Sequence, residues 1–546
     1  MPRFSVLTTV FDPPRDALLE CLESVRRQSM ADWQHVIVND CSAQPWVGQL
    51  LDEAAQRDTR LTVIHRSSNG GIVAASTDAL AAATGDLIAL LDHDDVLQSN
   101  ALDAMSAAYE DPDVEVAYSD SDLIRPDGRC AMPFYKPDFS PERLRSQNYI
   151  THLTTARRSL MLEVGGFRTG FDGSQDHDLV LRLTERARKV AHVPQVLYHW
   201  RQAPASVASD PSNKPYAYEN GCRAVQQQCD RLDIESTTEL GQYDGCYRVR
   251  RRVLGEPLVS VVIPTCGTGG RVWGCERSFV VEAVAGIERI STYRNLEYVI
   301  VYDDATPSSV LAALGRVVGD RLRLVPFAGS FNFSAKMNLG VVKSRGTHLL
   351  LLNDDTELIQ PDSIEVLLAH TQMPDVAMAG AKLLFSDGTL QHAGHLYAGR
   401  VDHALTGWRG DHPGPYRMNA VERECSGVTA AAAMVRRDAF MAVGGFCEQL
   451  PGNFNDVDLS LKLRSAGYRI IWTPFAAWYH FESASRDPHT TDVERDLLLK
   501  RWRWQIERDP YFNPNLEPHR SDFLERPNMS GAPPYVDDEH GVRHWA

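Results

Sequence analysis

The sequence repeats itself once, at long range. Gly165-Gly166-Phe167 returns as Gly444-Gly445-Phe446, 279 residues on. Asp176-His177-Asp178-Leu179 returns 280 residues on as Asp456-Val457-Asp458-Leu459, and Tyr198-His199 returns 281 residues on as Tyr479-His480. The acidic clusters at Asp94 and Asp355 lie 261 residues apart, so the second copy is longer between its acidic cluster and its Gly-Gly-Phe. The same elements in the same order at this distance mean a duplicated domain, not a solenoid, whose period is about 20–50 residues. Length alone, 546 residues, suggests three or four domains at about 150 residues each. The repeat reduces this to two large domains, 1–205 and 257–510, with a linker segment at 206–256 and a tail at 511–546.

Each copy opens on a short apolar run, Phe4 to Val10 and Val259 to Ile263. A second run follows, Val36 to Val38 and Tyr298 to Tyr302, and each leads into polar residues, Asn39-Asp40-Cys41-Ser42 and Asp303-Asp304-Ala305-Thr306. Between them Leu18, Leu19, Leu22 and Val25 carry helical spacing. Third runs at Leu61 to His65 and Leu322 to Val325 precede fourth ones, Leu87 to Leu91 and Leu349 to Leu352, that end in acidic clusters. Continuously apolar strands alternating with helices predict an α/β fold, a mostly parallel sheet covered on both faces. Ligands of such sheets sit at the carboxyl ends of the strands, where both clusters fall.

Composition excludes several classes. Hydrophobic residues at 43% and charged residues at 23% are ordinary globular values, which rules out wholesale disorder, collagen and coiled coil. With 72 acidic against 56 basic residues the net charge is −16, so no nucleic acid partner is expected. No apolar run approaches the ~20 residues that span a bilayer. The stretch Phe4 to Phe11 is too short for a signal peptide and stops at Asp12-Pro13-Pro14, so a cytoplasmic address is expected. Ten scattered Cys, without a CxxC pair, read as free thiols. Neither a P-loop nor a strand-to-helix GxGxxG is present; Gly267, Gly269 and Gly270 do not make one.

Chemistry concentrates in three paired motifs. Asp92-His93-Asp94-Asp95 ends a buried strand, where clustered carboxylates need a cation or solvent to offset their repulsion. Hard oxygen ligands suit Mg2+ or Mn2+; the plainer reading is that Asp95 caps a following helix. The second copy, Asn353-Asp354-Asp355-Thr356, supports the cation, but Asn353 adds no charge and leaves that site fewer carboxylates. Asp176 and Asp456 each open an amphipathic helix, either as caps or, being paired at a fixed distance before Tyr-His, as bases that take a proton from a sugar hydroxyl. His199 and His480 follow short strands and are structural residues or last ligands of the metal. His392 and His395 form an HxxH with no third ligand in view and are read as structural. The Arg248, Arg250, Arg251, Arg252 run reads as a solvated strand, with contact to anionic lipid headgroups as the sharper alternative.

Together these motifs resemble the family 2 glycosyltransferases, over about 4–201 and 258–482. Linker and tail are similar to tandem members of bacterial O-antigen, rhamnan or other surface polysaccharide biosynthesis, through Tyr118-Ser119-Asp120-Ser121-Asp122, Phe134-Tyr135-Lys136-Pro137-Asp138, Gln391-His392-Ala393-Gly394, Glu482-Ser483-Ala484-Ser485-Arg486 and Asp509-Pro510-Tyr511-Phe512-Asn513. The resemblance implies two GT-A domains, a Rossmann-like nucleotide-diphospho-sugar transferase fold, in tandem. It places Asp40, Asp303 and Asp304 on the donor base and Asp92 and Asn353 on ribose or diphosphate. Asp94 and Asp355 bind the metal with His199 and His480, and Asp176 and Asp456 are the bases. Asn39 stands where the first Asp of the usual pair is, and Thr9 where the first strand usually has Pro.

The implied activity is a metal-dependent, inverting hexosyltransferase in each domain. It uses dTDP-rhamnose or UDP-hexose donors and a growing glycan or lipid-linked glycan as acceptor, with peripheral contact at the inner membrane face. Alternatives are a hexosamine/hexuronic acid polymerase of the same tandem design, or one active domain beside a glycan-binding one.

Overall fold

A computed structural model describes residues 2–202, 215–481 and 491–526, and the backbone of 535–537 and 543–545. Pro204, Pro211 and the string Glu482 to Arg486 lie outside the described residues. The chain forms two compact units. Unit 1 is Met1–Val249 with Asn513–Glu517 and Leu524–Ala546; unit 2 is Arg250–Phe512 with Pro518–Phe523.

Unit 1 is built on nine strands: β1 (Phe4–Val10), β2 (Trp33–Asn39), β3 (Leu61–His65), β4 (Leu87–Leu90), β5 (Val96–Leu97), β6 (Val114–Ile124), β7 (Cys130–Phe134), β8 (Thr154–Arg157) and β9 (Lys189–Arg201). The sheet order is β3-β2-β1-β4-β8-β6-β9-β5, with β7 paired to β6. β1, β2, β3 and β4 are parallel, as their apolar runs predict. The sheet then turns mixed: β8 is antiparallel to both β4 and β6, β6 and β9 are parallel, and β5 is antiparallel to β9. This corrects the expectation of a mostly parallel sheet. A strand buried on both faces is apolar throughout whichever way it runs, so the pattern carries burial but not direction.

Both faces are covered. Phe4 and Val6 pack with Trp33, Leu87 and Leu102, while Leu7 packs with Val36, Val38 and Ile88. The helix Arg15–Arg26 starts after Pro14, whose extended backbone opens it, and buries Leu18, Cys21 and Val25 at 3/4 spacing. The helix Pro215–Arg231 adds Ala224, Val225 and Cys229 to a cluster with Tyr118, Tyr149 and Val180.

Unit 2 repeats the order strand for strand: Leu322–Phe327, Leu296–Asp303, Val259–Thr265, His348–Leu352, Ala432–Arg436, Val376–Leu384, Arg469–His480 and Thr356–Leu358. Its core joins Val261, Ile300, Leu350, Met434, Ile471 and Trp478.

Two sequence readings change here. The arginine run is not a solvated strand, nor is it free to meet lipid throughout: Arg251 is buried in an ion pair with Glu422 at 3.3 Å. The tail, expected on the second domain, belongs in part to unit 1. There the buried Asp120 carboxylate accepts from Asn513 Nδ2 at 2.9 Å, which fixes that segment. Among the described residues no helix is long and apolar enough to cross a membrane.

Candidate active site

The carboxyl end of β2 carries Asp40. Its two oxygens accept from the amides of Gly70 and Gly71 at 2.9 and 2.8 Å, and Arg66 Nε lies 2.9 Å away. Gly71 has a φ of 80°, a conformation that suits glycine and lets its N–H turn back onto the carboxylate. By strand register the unit 2 counterpart is Asp303, which pairs with the buried Lys336 Nζ at 2.6 Å. Asp304, next along, is exposed and outside the cavity of that unit.

After β4, Asp92 and Asp94 hold carboxylates that take no hydrogen bond or ion pair among the described residues. Burial, with Asp94 beside it and Asp176 beyond, pushes Asp92 up to about 6. Asp95 does not cap a helix. A short strand follows it instead, and its buried carboxylate accepts from Tyr198 Oη at 2.5 Å and the Arg201 amide at 2.7 Å. Burial, then Asp92 and Asp94, holds Asp95 well above the usual carboxylate range.

The paired Asp-x-Asp motifs divide their labour in the same way in both units. Asp178 and Asp458 are buried anchors. Asp178 takes Arg182 at 2.7 Å and also Arg168, and Arg182 then donates to the carbonyl of Gly166 at 2.6 Å. Asp458 takes Lys462 at 3.0 Å, which donates to the carbonyl of Gly445 at 2.6 Å. The Gly-Gly-Phe turn is thus fixed by the second Asp of each motif, while the first, Asp176 or Asp456, faces a cavity. Neither is an N-cap; the caps are Ser174 and Phe454. Asp176 accepts from Asn148 Nδ2 at 3.1 Å, and burial raises its pKa. Asp456 accepts from the amides of Val457 at 2.9 Å and Ala430 at 3.3 Å.

In unit 2, His480 Nε2 sits 3.2 Å from Asp355 Oδ1 and 3.1 Å from Asn353 Nδ2. Burial and the neighbouring Asp355 push Asp354 up to about 7 while it accepts from Thr265 Oγ1 at 2.6 Å. Asp303, Asn353, Asp355, Asp456 and His480 line one cavity of about 440 Å³. Unit 1 differs. Its His199 lies 2.6 Å from Asp122, 3.3 Å from Gln98 and 3.5 Å from Cys130 Sγ, and no contact to Asp94 is among its described bonds. The cause is register. Val96 pairs with His199, and Leu97 with Tyr198, whereas Thr356 pairs with His480 and Leu358 with Trp478. Matching Leu97 to Leu358, unit 1 is slipped by one residue, and a slip of one turns every side chain to the other face. The slip originates in irregular pairing of β6 with β9 around Asp120, which takes up Leu197. Tyr198 consequently faces the acidic cluster. Asp92 and Asp176 share a cavity of about 80 Å³ with His152, while Asp40, Asp94 and His199 are not among its lining.

The donor sets fit a hard divalent cation. Unpartnered or raised carboxylates at Asp92 and Asp94, and Asp355 with His480, are oxygen-rich ligands of the kind Mg2+ and Mn2+ take. Sequence reasoning missed Lys336, which holds Asp303, as well as His152 and Tyr198. None carries a spacing signal, because each acts through strand pairing.

A family model described as glycosyl transferase family 2 matches residues 5–164 and 260–444. The uncharacterized protein y4gI of Sinorhizobium fredii is 38% identical over 542 residues, covering 96% of this chain and 58% of that protein. The O-antigen biosynthesis protein RfbC of Myxococcus xanthus is 34% identical over 525 residues, covering 94% of this chain and 40% of that protein. The chain spans about half the length of these relatives. A crystal structure of S. aureus TarS 1-349 aligns at a TM-score of 0.35 and 17% identity, over 43% of this chain and 67% of that one.

Proposed function

This chain belongs to glycosyl transferase family 2, and from that premise we propose that it is a bifunctional inverting glycosyltransferase with one site in each of its two GT-A domains. Each domain moves a hexosyl group from a nucleotide-diphosphate donor, of dTDP-rhamnose or UDP-hexose type, onto a growing surface glycan. The acceptor is a free or lipid-linked glycan, as for a protein of O-antigen biosynthesis. The observation that carries this reading is the recurrence, in both units, of a cavity-facing carboxylate on a helix start opposite carboxylates at the end of a sheet strand.

The reaction is a single in-line displacement at the anomeric carbon. The bond from that carbon to the diphosphate oxygen breaks as the acceptor oxygen bonds from the opposite side, and Asp176 or Asp456 takes the hydroxyl proton. Asp176 is suited to this because burial raises its affinity for a proton. Asp40 and Asp303 hold the loops at the donor end, one through glycine amides and the other through Lys336. A bound Mg2+ or Mn2+, held by Asp94 in domain one and by Asp355 with His480 in domain two, takes up charge on the departing nucleoside diphosphate. Orientation of donor and acceptor supplies much of the remaining rate.

The test is a donor screen on the full chain, with Mg2+ or Mn2+ and an acceptor glycan, reading nucleoside diphosphate release. Release from at least one sugar nucleotide, lost on chelation, is expected; no release from any donor contradicts the proposal. The cavity of about 80 Å³ in unit 1, below the roughly 300–1,000 Å³ usual for ligand sites, favours a second reading. In it, unit 2 transfers and unit 1 binds glycan; Asp176→Asn then leaves product formation unchanged.

A further inference from the structure

We propose that His392, His395 and His403 form a second cation site in unit 2, for a borderline divalent ion such as Zn2+ or Co2+. The HxxH of His392 and His395 lacks a third ligand in sequence. The structure supplies one, because the short hairpin pairs His395 with His403. The three imidazoles offer nitrogen atoms that lie within 4.8 Å of one another. His392 Nδ1 and His403 Nδ1 are 3.0 Å apart, close to the roughly 3.3 Å that two nitrogens reach around a tetrahedral ion with bonds of about 2.0–2.1 Å.

A second observation points to a ligand. His395 is 4% exposed, and its buried Nδ1 has no hydrogen-bond partner. Its other nitrogen, Nε2, faces Asp456 Oδ2 at 4.0 Å. A carboxylate on the far nitrogen of a ligating histidine is a recurrent way to fix its tautomer and orientation. The rings are kept in the neutral form that ligates metals. Burial, then His403 and His395, drives His392 well below the usual histidine range, and burial takes His395 down to about 3.

The ligand set chooses the ion. Imidazoles suit Zn2+, Co2+ and Ni2+, whereas the carboxylates at Asp355 suit Mg2+ and Mn2+. The Thr429 amide donates to His392 Nε2 at 3.2 Å, so ligation through Nδ1 requires the proton to move to Nε2 at the expense of that bond. One long neutral hydrogen bond is a small loss against three imidazole–metal bonds. Three protein ligands leave a fourth position open. His395 and His403 line the cavity that Asp355 and Asp456 also line, so that position faces the space where an acceptor hydroxyl would bind.

The test is a titration of the metal-stripped full-length chain with Co2+ alone, reading the visible absorption band of tetrahedral cobalt. The wild type is expected to develop the band at one ion per chain. His403→Asn and His392→Asn are expected to lose it, with circular dichroism confirming the fold, and Asp355→Asn to keep it. Absence of the band from the wild type overturns the proposal whatever the variants do. A band that survives His403→Asn, or that Asp355→Asn alone removes, overturns it as well. Since no sugar nucleotide is present, the result is independent of whether unit 2 transfers sugar.

Discussion

Where unit 1 sets the imidazole of His152 against its strand ends, unit 2 sets the methyl group of Ala431. The two positions correspond through the pairing of Leu87 with Arg157 and of His348 with Arg436. His152 stacks on Tyr198 at 4.7 Å and fills the space, and the cavities measure about 80 and about 440 Å³. The one-residue slip at β5 completes the difference. In unit 2 a histidine stands beside the metal-site Asp, and in unit 1 a tyrosine supports Asp95 instead. Duplication has thus kept the sheet while changing what the strand ends present, because register and a single side chain reshape a site without touching the core.

The largest effect that would break this comparison is Ala431→His. If the small side chain keeps the second cavity open, this change slows domain-two transfer by about 10²-fold, the cost of displacing a bound substrate by about an ångström. Steady-state kinetics on the domain-two product reads it, and an unchanged rate removes His152 as the cause of the smaller first cavity.

Next is Lys336→Met. It strips Asp303 of its buried partner and should destabilise unit 2 by up to about 3 kcal/mol. Arg66→Met in unit 1 should cost only about 1 kcal/mol, because Asp40 keeps its two glycine amides. Urea midpoints of the two transitions compare them.

Tyr198→Phe leaves the buried Asp95 without its hydroxyl partner and should cost about 1–3 kcal/mol. Tyr479→Phe, whose ring stacks on Phe481 and meets Trp273, should change stability by less than about 0.5 kcal/mol. Equal losses would mean that the slip does not separate the two tyrosines.

How far the sequence carried this picture depends on which force set each feature. The repeated order of strands, the position of the acidic clusters and the helix starts at Asp176 and Asp456 were all legible, since each follows from burial pattern and local spacing. The division of each Asp-x-Asp motif into a cavity-facing first Asp and an anchoring second was not legible, because it depends on Arg182 and Lys462 reaching back to the glycine turn. Nor was the placing of His199, which turns on an irregularity in strand pairing around Asp120. Asp95 was read as a cap from its neighbours, but the group that claims it, Tyr198, lies about a hundred residues away. Arg251 read as solvated from its basic neighbours, while its partner Glu422 is equally remote.

The smallest expected effect concerns pH. Asp354 at about 7 and Asp92 at about 6 both stand above the ordinary 3.8. For a raised carboxyl the stability contribution is complete below 3.8 and is lost as pH rises through the folded value. The loss therefore ends near pH 6 in unit 1 and near pH 7 in unit 2, and one pKa unit is about 1.4 kcal/mol. In chelator, unit 2 should lose about 1 kcal/mol more than unit 1 between pH 4 and 8. Mg2+ should restore more stability at pH 8 than at pH 5. Denaturation at fixed pH with and without Mg2+ checks both.

The central claim is that the two units are separate transfer sites. Linkage analysis of the product made by wild type, Asp176→Asn and Asp456→Asn tests it most directly. The account predicts that each variant loses one linkage, by at least about 10²-fold for removal of a general base, and keeps the other. A single variant that abolishes both linkages, or that leaves both intact, would contradict it.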